Sequence, residues 1–195
     1  IVTSVAAMAG DMATPDTIVP CPGEIQVGPR LIPNYDRFAL GPVPLTRAFA
    51  NSCNTSFAEL AGRMGPSDLA HAGAAMGLGT QYGIAGIESK SGSVPIEPDL
   101  VVRAEDGFGQ GTVLASPLGM ALVAATAATG KAPVPVLIEG RETTVTGPRP
   151  EIDARIYEQL RPMMRAVVTE GTATMIAGSG AVFGKTGEAE VAGGS

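Results

Sequence analysis

Residues 178–190 read GSGAVFGKTGEAE, near the end of a chain of 195 residues. Gly-Lys-Thr at 184–186 could close a phosphate-binding loop, whereas Lys-Thr-Gly at 185–187 could belong to a serine acyl-transfer site. The phosphate-binding loop requires a glycine five residues before the second glycine, where this chain has Ser179. The segment that follows is also a poor start for the helix whose amides would hold the phosphate. The sequence therefore does not favour a nucleotide site.

The alternation of side chains in AVFGKTGEAEV, residues 181–191, predicts a β-strand. One face of this strand would carry Phe183, Lys185 and Gly187, and a substrate backbone could lie close to the strand at Gly187. Sites of this kind hold a peptide by main-chain hydrogen bonds along a strand edge. For an isolated Lys-Thr-Gly, a surface lysine in an exposed strand would be the better interpretation. Only further motifs elsewhere in the chain can distinguish a surface lysine from a residue of an acyl-transfer site.

The composition limits the classes of function. With 45% hydrophobic residues, a chain of this length can bury one core. The net charge of −6 and the lack of a Lys/Arg cluster argue against nucleic-acid binding. No apolar run approaches the roughly 20 residues that span a bilayer. The single histidine, His71, has no cysteine or carboxylate cluster near it in sequence, so we expect neither a metal nor another cofactor.

The first third of the chain predicts helices separated by a looped excursion. IVTSVAAMAG at 1–10 has the character of the body of a helix, and the Pro/Gly-rich residues 14–44 predict short extended pieces with a small hairpin. Hydrophobic residues recur at helical spacing over 45–65, but the polar cluster at 51–55 indicates two short helices that meet there. Ser67 should cap a further short helix.

The rest of the chain predicts a loop over 77–104 and then the clearest helix, capped by Ser116 and closed by Gly130. Because that helix is apolar almost all round, we expect it to be buried. The segment at 133–138, PVPVLI, predicts an edge strand. Hydrophobic spacing over 151–169 predicts a helix that its proline splits in two, followed by a cap at Gly171-Thr172. Helices should dominate, with strands late in the chain.

Lys185-Thr186-Gly187 is not isolated, because Ser52-Cys53-Asn54 has the form Ser-x-Asn. Ser-x-x-Lys, Ser-x-Asn and Lys-Thr-Gly, in that order, form the serine acyl-transfer set. Ser-x-Asn alone is common by chance and would be interpreted as a helix cap. The order, the long separation and the flanking residues change that interpretation.

With these motifs, the chain resembles the transpeptidase domain of penicillin-binding proteins, most closely the class B (monofunctional) group. The resemblance runs through CPG at 21–23, LTRAFANSCNTSFAELAGRMG at 45–65, GFGQGTVLASPLGMALVAATAATGKAPVP at 107–135, MMRAVVTEGTA at 163–173 and GKTGEAE at 184–190. It implies an α+β fold, in which a helix-rich lobe packs against an antiparallel sheet that this chain contains only in part. It also implies that residues 1–195 are the central part of one transpeptidase domain, truncated at both ends.

The resemblance implies a nucleophile that this chain does not contain. No serine here has a lysine three residues later, so the Ser-x-x-Lys motif is missing. In the family, that motif begins a helix that continues with an apolar stretch much like IVTSVAAM. We therefore expect the nucleophilic serine and its lysine immediately before Ile1.

The activity implied by the resemblance is peptidoglycan D,D-transpeptidation, a serine acyl transfer that cross-links D-Ala-D-Ala stem peptides and that β-lactams inhibit. Ser52 would relay a proton towards the leaving amine, Asn54 would bind a substrate carbonyl, and Lys185 would supply positive potential. Two alternatives are a serine β-lactamase, which shares the motif set, and a non-catalytic β-lactam or peptidoglycan sensor or scaffold.

The remaining implied site residues follow Lys185. Thr186 would donate its hydroxyl to the substrate carboxylate, Gly187 would allow the substrate to lie close, and the backbone amide of Glu188 would be an oxyanion donor. The family usually has a hydroxyl residue where this chain has Glu188, so no role is expected for that side chain. The Gly-Gln-Gly turn at 109–111 is interpreted as structural, although the family places it near the site.

The family works outside the cytoplasmic membrane, where disulfides persist. This location implies a disulfide between Cys21 and Cys53 beside Ser52, with two free thiols as an equally open alternative. It also implies a parent protein anchored in the membrane by a segment outside this chain. The expected partners are peptidoglycan stem peptides, β-lactams and proteins of the division or elongation complex.

Overall fold

Helices alternate with short pairs of strands in the computed structural model, which describes residues 1–188. The helices are α1 (Val2–Ala9), α2 (Leu45–Ala50), α3 (Asn54–Gly62), α4 (Asp68–Ala75), α5 (Leu100–Gly107), α6 (Pro117–Thr129) and α7 (Ala154–Thr169). The strands are β1 (Ile18–Cys21), β2 (Glu24–Val27), β3 (Arg30–Pro33), β4 (Gly41–Pro44), β5 (Gln81–Gly83), β6 (Gly92–Ser93), β7 (Leu114–Ala115) and β8 (Thr144–Thr146).

The core is built around α1, as its apolar sequence predicts. Residues 3–8 of this helix are all buried, and α1 packs against α3, α4 and α7. Its alanines let the neighbouring helices approach closely, as the close packing of protein interiors requires. Phe49 of α2, Leu60 of α3 and Leu160 and Met163 of α7 are buried in the same cluster. Helix α1 is therefore the element against which α3, α4 and α7 are positioned.

Residues 14–44 form the looped excursion with a hairpin that the sequence predicts. Strand β1 pairs antiparallel with β4, and β2 pairs with β3 in the hairpin, where Ile25 lies opposite Ile32. The expectation that strands occur late in the chain is wrong, because β1–β4 all precede α2. Pro20 and Pro42 lie opposite each other in the two-stranded β1–β4 pair. Proline is tolerated in such edge positions, where its missing N–H can face away from the partner.

A disulfide joins Cys21, at the end of β1, to Cys53, directly before α3. The two Cα atoms are 6.1 Å apart, and both residues are fully buried. The Asn34 side chain lies beside the disulfide, donates to the Pro22 carbonyl at 2.8 Å and accepts from the Thr55 amide at 3.0 Å. Covalent and hydrogen bonds thus hold the excursion against the turn between α2 and α3.

Helix α5 interrupts the loop predicted for residues 77–104, so that prediction is wrong at its end. The Asp99 carboxylate caps α5 by accepting from the amides of Val101 and Val102, at 2.8 and 3.0 Å. At the other end, Gly107 lies so close to α3 that a Cβ there would be 2.3 Å from the Ala61 side chain. A short helix of this kind is stabilised by its cap and by tertiary packing more than by its own propensity.

Helix α6 begins and ends where its capping residues predict. The Ser116 hydroxyl accepts from the Gly119 amide at 3.0 Å, and Gly130 adopts the left-handed conformation with φ of 82°. The expectation of burial all round is wrong, because Val123 faces the core whereas Met120 is 45% exposed. Within the described chain, α6 packs against α7 and β7, and its Leu122 joins a second apolar cluster with Tyr82 and Ile84.

Helix α7 is continuous, so the predicted break at Pro162 is wrong. Pro162 lies on the exposed face of the helix, as does Glu158, whose carbonyl loses its hydrogen-bond donor. Because this carbonyl can bond to water, the helix is not interrupted.

The edge strand predicted at 133–138 is also absent from the described residues; its prolines remove ladder donors, and β5 pairs with β8 instead.

We expect replacement of both cysteines by alanine to lower the free energy of unfolding by about 3–4 kcal/mol, because the bridge spans 32 residues of chain. Chemical denaturation of the wild-type and Cys21→Ala/Cys53→Ala proteins measures the difference. Reductant should destabilise the wild type to the level of the double variant and leave the double variant unchanged. Equal thiol counts with and without reductant, under denaturing conditions, would contradict the bridge.

Candidate active site

An open cleft of about 1810 Å³ runs between the start of α1, the α2–α3 turn and the last described residues. Segments that are far apart in sequence contribute to its lining. The six site residues predicted from the sequence all line this cleft: Ser52, Asn54, Lys185, Thr186, Gly187 and Glu188. The fold therefore brings the Ser-x-Asn and Lys-Thr-Gly segments to one place.

Ser52 lies in the tight turn between α2 and α3, the two short helices that the polar cluster predicts. Its φ of 56° is in the left-handed region, which a residue with a side chain rarely adopts. The turn is closed by a hydrogen bond from the Ser52 amide to the Phe49 carbonyl, at 3.1 Å. Strained backbone of this kind costs about 1–3 kcal/mol and is concentrated at functional sites. Asp11, Asp36 and Arg37 share this conformation, so the strained turn supports the assignment of Ser52 that the motif makes.

Lys185 contacts Ser52 directly across 133 residues of sequence. Its ammonium donates to the Ser52 hydroxyl and, at 2.9 Å, to the Thr186 carbonyl. The Nζ atom also lies 5.6 Å from the centroid of the buried Phe49 ring, within the range of a cation–π interaction. Burial of the side chain lowers the pKa of Lys185 to about 8. The site therefore holds a cation that can change its charge close to neutral pH.

Helix α7 supports the segment that carries Lys185. The Gly184 amide donates to the Met164 carbonyl at 3.1 Å, and the Arg165 guanidinium donates to the carbonyls of Val182 and Gly180, at 2.8 and 3.2 Å. The strand predicted over 181–191 is not observed for residues 181–188, and residues 189–191 lie outside the described part. A strand needs a paired neighbour, and here α7 takes the backbone hydrogen bonds instead.

Thr172, in the turn after α7, links the two motif segments. Its Oγ1 lies 2.6 Å from Thr186 Oγ1, which in turn lies 3.2 Å from Ser52 Oγ. The Thr172 amide donates to the Ala50 carbonyl at 3.1 Å. Gly171 packs so tightly on this carbonyl that a Cβ would lie 2.2 Å from the oxygen. The turn after α7 thus touches both the end of α2 and the Lys-Thr-Gly segment.

Asn54, Gly187 and Glu188 are the other predicted site residues, and each is accessible from the cleft. Asn54 begins α3, and its amide donates to the Pro33 carbonyl at 3.3 Å, which leaves a second N–H for another acceptor. Glu188 is exposed, and a Cβ at Gly187 would meet no atom within 4 Å. The turn at 109–111 lines the cleft as well as leading on to β7 and α6.

Sequence reasoning did not identify Thr172, Arg165 and Phe49 as residues of the site. Thr172 was expected only to cap the end of a helix, and the sole signal for a further role was its place in the segment MMRAVVTEGTA. Arg165 lies in the same segment, while Phe49 matched the core pattern of a helix and is indeed fully buried. Contacts between distant segments made these three residues part of the site.

The described residues contain no group of three or more His, Cys, Asp or Glu side chains arranged to hold a metal ion. None of the helices among residues 1–188 is both long and apolar enough to cross a membrane.

Comparison with known proteins identifies the family. The model of the penicillin-binding protein transpeptidase domain matches residues 1–195. The chain belongs to the penicillin-binding protein transpeptidase family. A search of curated proteins found no match.

Solved structures of this family share the fold. The D,D-transpeptidase domain of a peptidoglycan glycosyltransferase from Eggerthella lenta is 25% identical, with a TM-score of 0.82 over 99% of this chain and 53% of that one. A structure of a peptidoglycan synthase complex that coordinates polymerization and crosslinking is 28% identical, with a TM-score of 0.80 over 98% of this chain and 36% of that one. PBP2 of Pseudomonas aeruginosa, in complex with WCK 5153, is 23% identical, with a TM-score of 0.79 over 93% and 46%.

These matches confirm the predicted α+β fold class and the resemblance to a penicillin-binding protein transpeptidase domain. The chain spans about half or less of the length of each of these structures.

We expect Gly171→Ala to lower the free energy of unfolding by about 1–3 kcal/mol, because the added Cβ would overlap the Ala50 carbonyl. Gly178→Ala is the matched control, since a Cβ at Gly178 would meet nothing within 4 Å. Thermal and chemical denaturation of the two variants compare the positions. Equal stability of the two variants would contradict the tight contact between the turn and α2.

Proposed function

We propose that the protein is a serine D,D-transpeptidase that cross-links peptidoglycan, and that residues 1–195 are the central part of its transpeptidase domain. The observation that carries this proposal is the contact of Lys185 with Ser52, with Thr186 beside them, in one open cleft. Two of the three elements of the serine acyl-transfer set therefore occupy the same site. The family match over the whole chain supports the same conclusion.

The proposal places the nucleophilic serine and its lysine directly before Ile1. Ile1 lines the cleft together with Ser52 and Lys185, and α1 begins at Val2. Residues that precede Ile1 would therefore enter the cleft beside the two motif segments. The serine oxygen would attack the carbonyl between the two D-alanines, and the C–N bond would break to release the terminal D-Ala with an added proton. The amine of a second stem peptide would then displace the serine and form the cross-link.

Ser52 and Lys185 are suited to the proton transfers of this reaction. A hydroxyl can accept and donate a hydrogen bond at once, so Ser52 can receive the nucleophile's proton and pass one to the leaving amine. The Lys185 ammonium fixes the Ser52 oxygen and creates a positive potential for the substrate carboxylate. That potential acts over a longer distance in a partly buried site than it would in water.

The other site residues would bind the substrate. Asn54 has a free N–H for the substrate carbonyl. The Thr186 hydroxyl is engaged by the neighbouring hydroxyls of Ser52 and Thr172, so the Lys185 ammonium beside it would bind the substrate carboxylate. The backbone amide of Glu188 would donate to the oxyanion of the tetrahedral intermediate, an interaction worth about 3 kcal/mol where a single donor is removed. The Glu188 side chain is exposed, so its carboxylate can point to solvent rather than towards the substrate.

The proposal extends to ligands, partners and location. β-Lactams would acylate the same serine because they mimic the D-Ala-D-Ala terminus. Helicobacter pylori PBP2, 21% identical to this chain, was solved in a complex with MreC, which is in keeping with protein partners in general. The partners that we propose are proteins of a division or elongation complex. The Cys21–Cys53 disulfide is compatible with a site on the extracytoplasmic face of the membrane. A segment outside this chain would supply the anchor.

The second-order rate constant of acylation by penicillin should fall above about pH 8. Burial lowers the pKa of Lys185 to about 8, so its positive charge is present below that pH and lost above it. This rate constant reports ionisations of the free protein. Lys185→Arg retains the charge to much higher pH and should remove the decline. A decline that is unchanged in Lys185→Arg would show that another group titrates.

Intact mass after treatment with penicillin tests the proposed function on the full-length protein. We expect a stable covalent adduct that is lost when the serine of the preceding Ser-x-x-Lys motif is changed to alanine, and that forms at least tenfold more slowly in Lys185→Ala. Lys131→Ala is the matched control, because Lys131 is 80% exposed and is not among the residues that line the cleft.

Two other outcomes would overturn the proposal. A transient adduct with continued turnover of the drug would identify a β-lactamase. A folded protein that forms no adduct would identify a non-catalytic binding module.

A further inference from the structure

Three hydroxyl groups lie in a row behind the Lys185 ammonium. Ser52 Oγ is 3.2 Å from Thr186 Oγ1, and Thr186 Oγ1 is 2.6 Å from Thr172 Oγ1. The row ends at the carbonyl oxygen of Ala50, 3.3 Å from Thr172 Oγ1. Ser52 and Thr186 belong to the two recognised motifs, whereas Thr172 lies outside both of them.

The two ends of the row restrict the direction of its hydrogen bonds. The Lys185 ammonium can only donate, and the Ala50 carbonyl can only accept. Each hydroxyl has a single hydrogen, so only one arrangement uses every contact. In this arrangement Ser52 donates to Thr186, Thr186 donates to Thr172, and Thr172 donates to Ala50. The hydrogen of Ser52 then points away from the cleft, and its remaining lone pair is left to accept a hydrogen bond there.

The row can also run in the opposite direction. Thr172 then donates to Thr186, Thr186 donates to Ser52, and the hydrogen of Ser52 points towards the cleft. Only the contact of the Thr172 hydroxyl with Ala50 is lost, and at 3.3 Å it is the longest of the row. The Ala50 oxygen still accepts from the Thr172 amide at 3.1 Å, so no buried acceptor is left unpaired. Reversal needs rotation of three hydroxyl hydrogens and breaks no covalent bond.

We infer that Thr172 is a positioning residue that allows Ser52 to alternate between accepting and donating a hydrogen bond in the cleft. The inference rests on the proposed function, in which Ser52 accepts a hydrogen bond from the nucleophile in one step and donates one to the leaving amine in another. The Thr172 hydroxyl provides the acceptor that the hydrogen of Thr186 needs in the first arrangement and the donor that starts the second. Thr172 acts through Thr186 and Ser52, without a contact of its own to the reacting bond.

The backbone around Thr172 is suited to this role. Gly171 packs directly on the Ala50 carbonyl, and the Thr172 amide is bonded to the same oxygen. The position of Thr172 Oγ1 is therefore fixed relative to the end of α2, and Ser52 follows α2 by two residues. A fixed oxygen at the end of the row keeps both directions available with little movement of heavy atoms.

The test separates binding from acylation in the full-length protein. Stopped-flow measurement with a fluorescent penicillin gives the dissociation constant of the first complex and the rate constant of the acylation step. Thr172→Val removes the hydroxyl and retains the branched shape, and Thr172→Ser retains the hydroxyl. Thr169→Val is the matched control, because the Thr169 hydroxyl donates to the Arg165 carbonyl within α7 and does not line the cleft.

We expect Thr172→Val to lower the acylation rate constant about three- to tenfold, the effect of losing one hydrogen bond in the transition state, with the dissociation constant unchanged. Thr172→Ser and Thr169→Val should remain within about twofold of the wild type. If Thr172→Val fails to fold, Thr172→Ala and Thr172→Ser provide the comparison, since they differ only in the hydroxyl.

Three results would overturn the inference alone: a folded Thr172→Val protein with the wild-type rate constant, an effect confined to the dissociation constant, or equal slowing in the serine and alanine variants. A wild-type protein that forms no adduct would instead overturn the proposed function, and the inference with it.

Discussion

The contact between the Lys185 ammonium and the Ser52 hydroxyl joins parts of the chain that are 133 residues apart. Closing so long a loop costs conformational entropy, and desolvating an ammonium costs electrostatic free energy. Neither cost is recovered by one hydrogen bond to a neutral hydroxyl, so the surrounding structure has to hold the two groups together. The organisation of the cleft follows from this requirement.

Support comes from both sides of the contact. On the Ser52 side, the disulfide and Asn34 fix the excursion to the start of α3, and the left-handed turn directs the serine into the cleft. On the Lys185 side, Arg165 and the Met164 carbonyl bind the preceding backbone along α7. Because α2, α3 and α7 all pack into the core around α1, the two sides share one rigid base.

The sequence was most informative where a local rule operates. Capping residues located α6, the polar cluster at 51–55 located the turn of Ser52, and the motif order indicated which residues share a cleft. Rules that consider one helix or strand by itself gave wrong predictions where contacts with the rest of the fold determine the local structure. Helix α7 continues through Pro162 because that residue lies on its exposed side. Helix α5 forms in a segment with a weak helical pattern because Asp99 caps it and Gly107 lets it pack closely on α3. Thr172 could not be found in this way, because its partners are Thr186 and Ala50, and no spacing rule connects them.

The disulfide passes through the middle of the Ser-x-Asn motif, since Cys53 separates Ser52 from Asn54. The peptide units on either side of Cys53 are therefore tied to β1 by a covalent crosslink. The distance between the Ser52 and Asn54 backbones cannot adapt freely to the size of a ligand. Adaptation is left to the χ angles of these two side chains, so the spacing of the two backbones is set before any ligand enters the cleft.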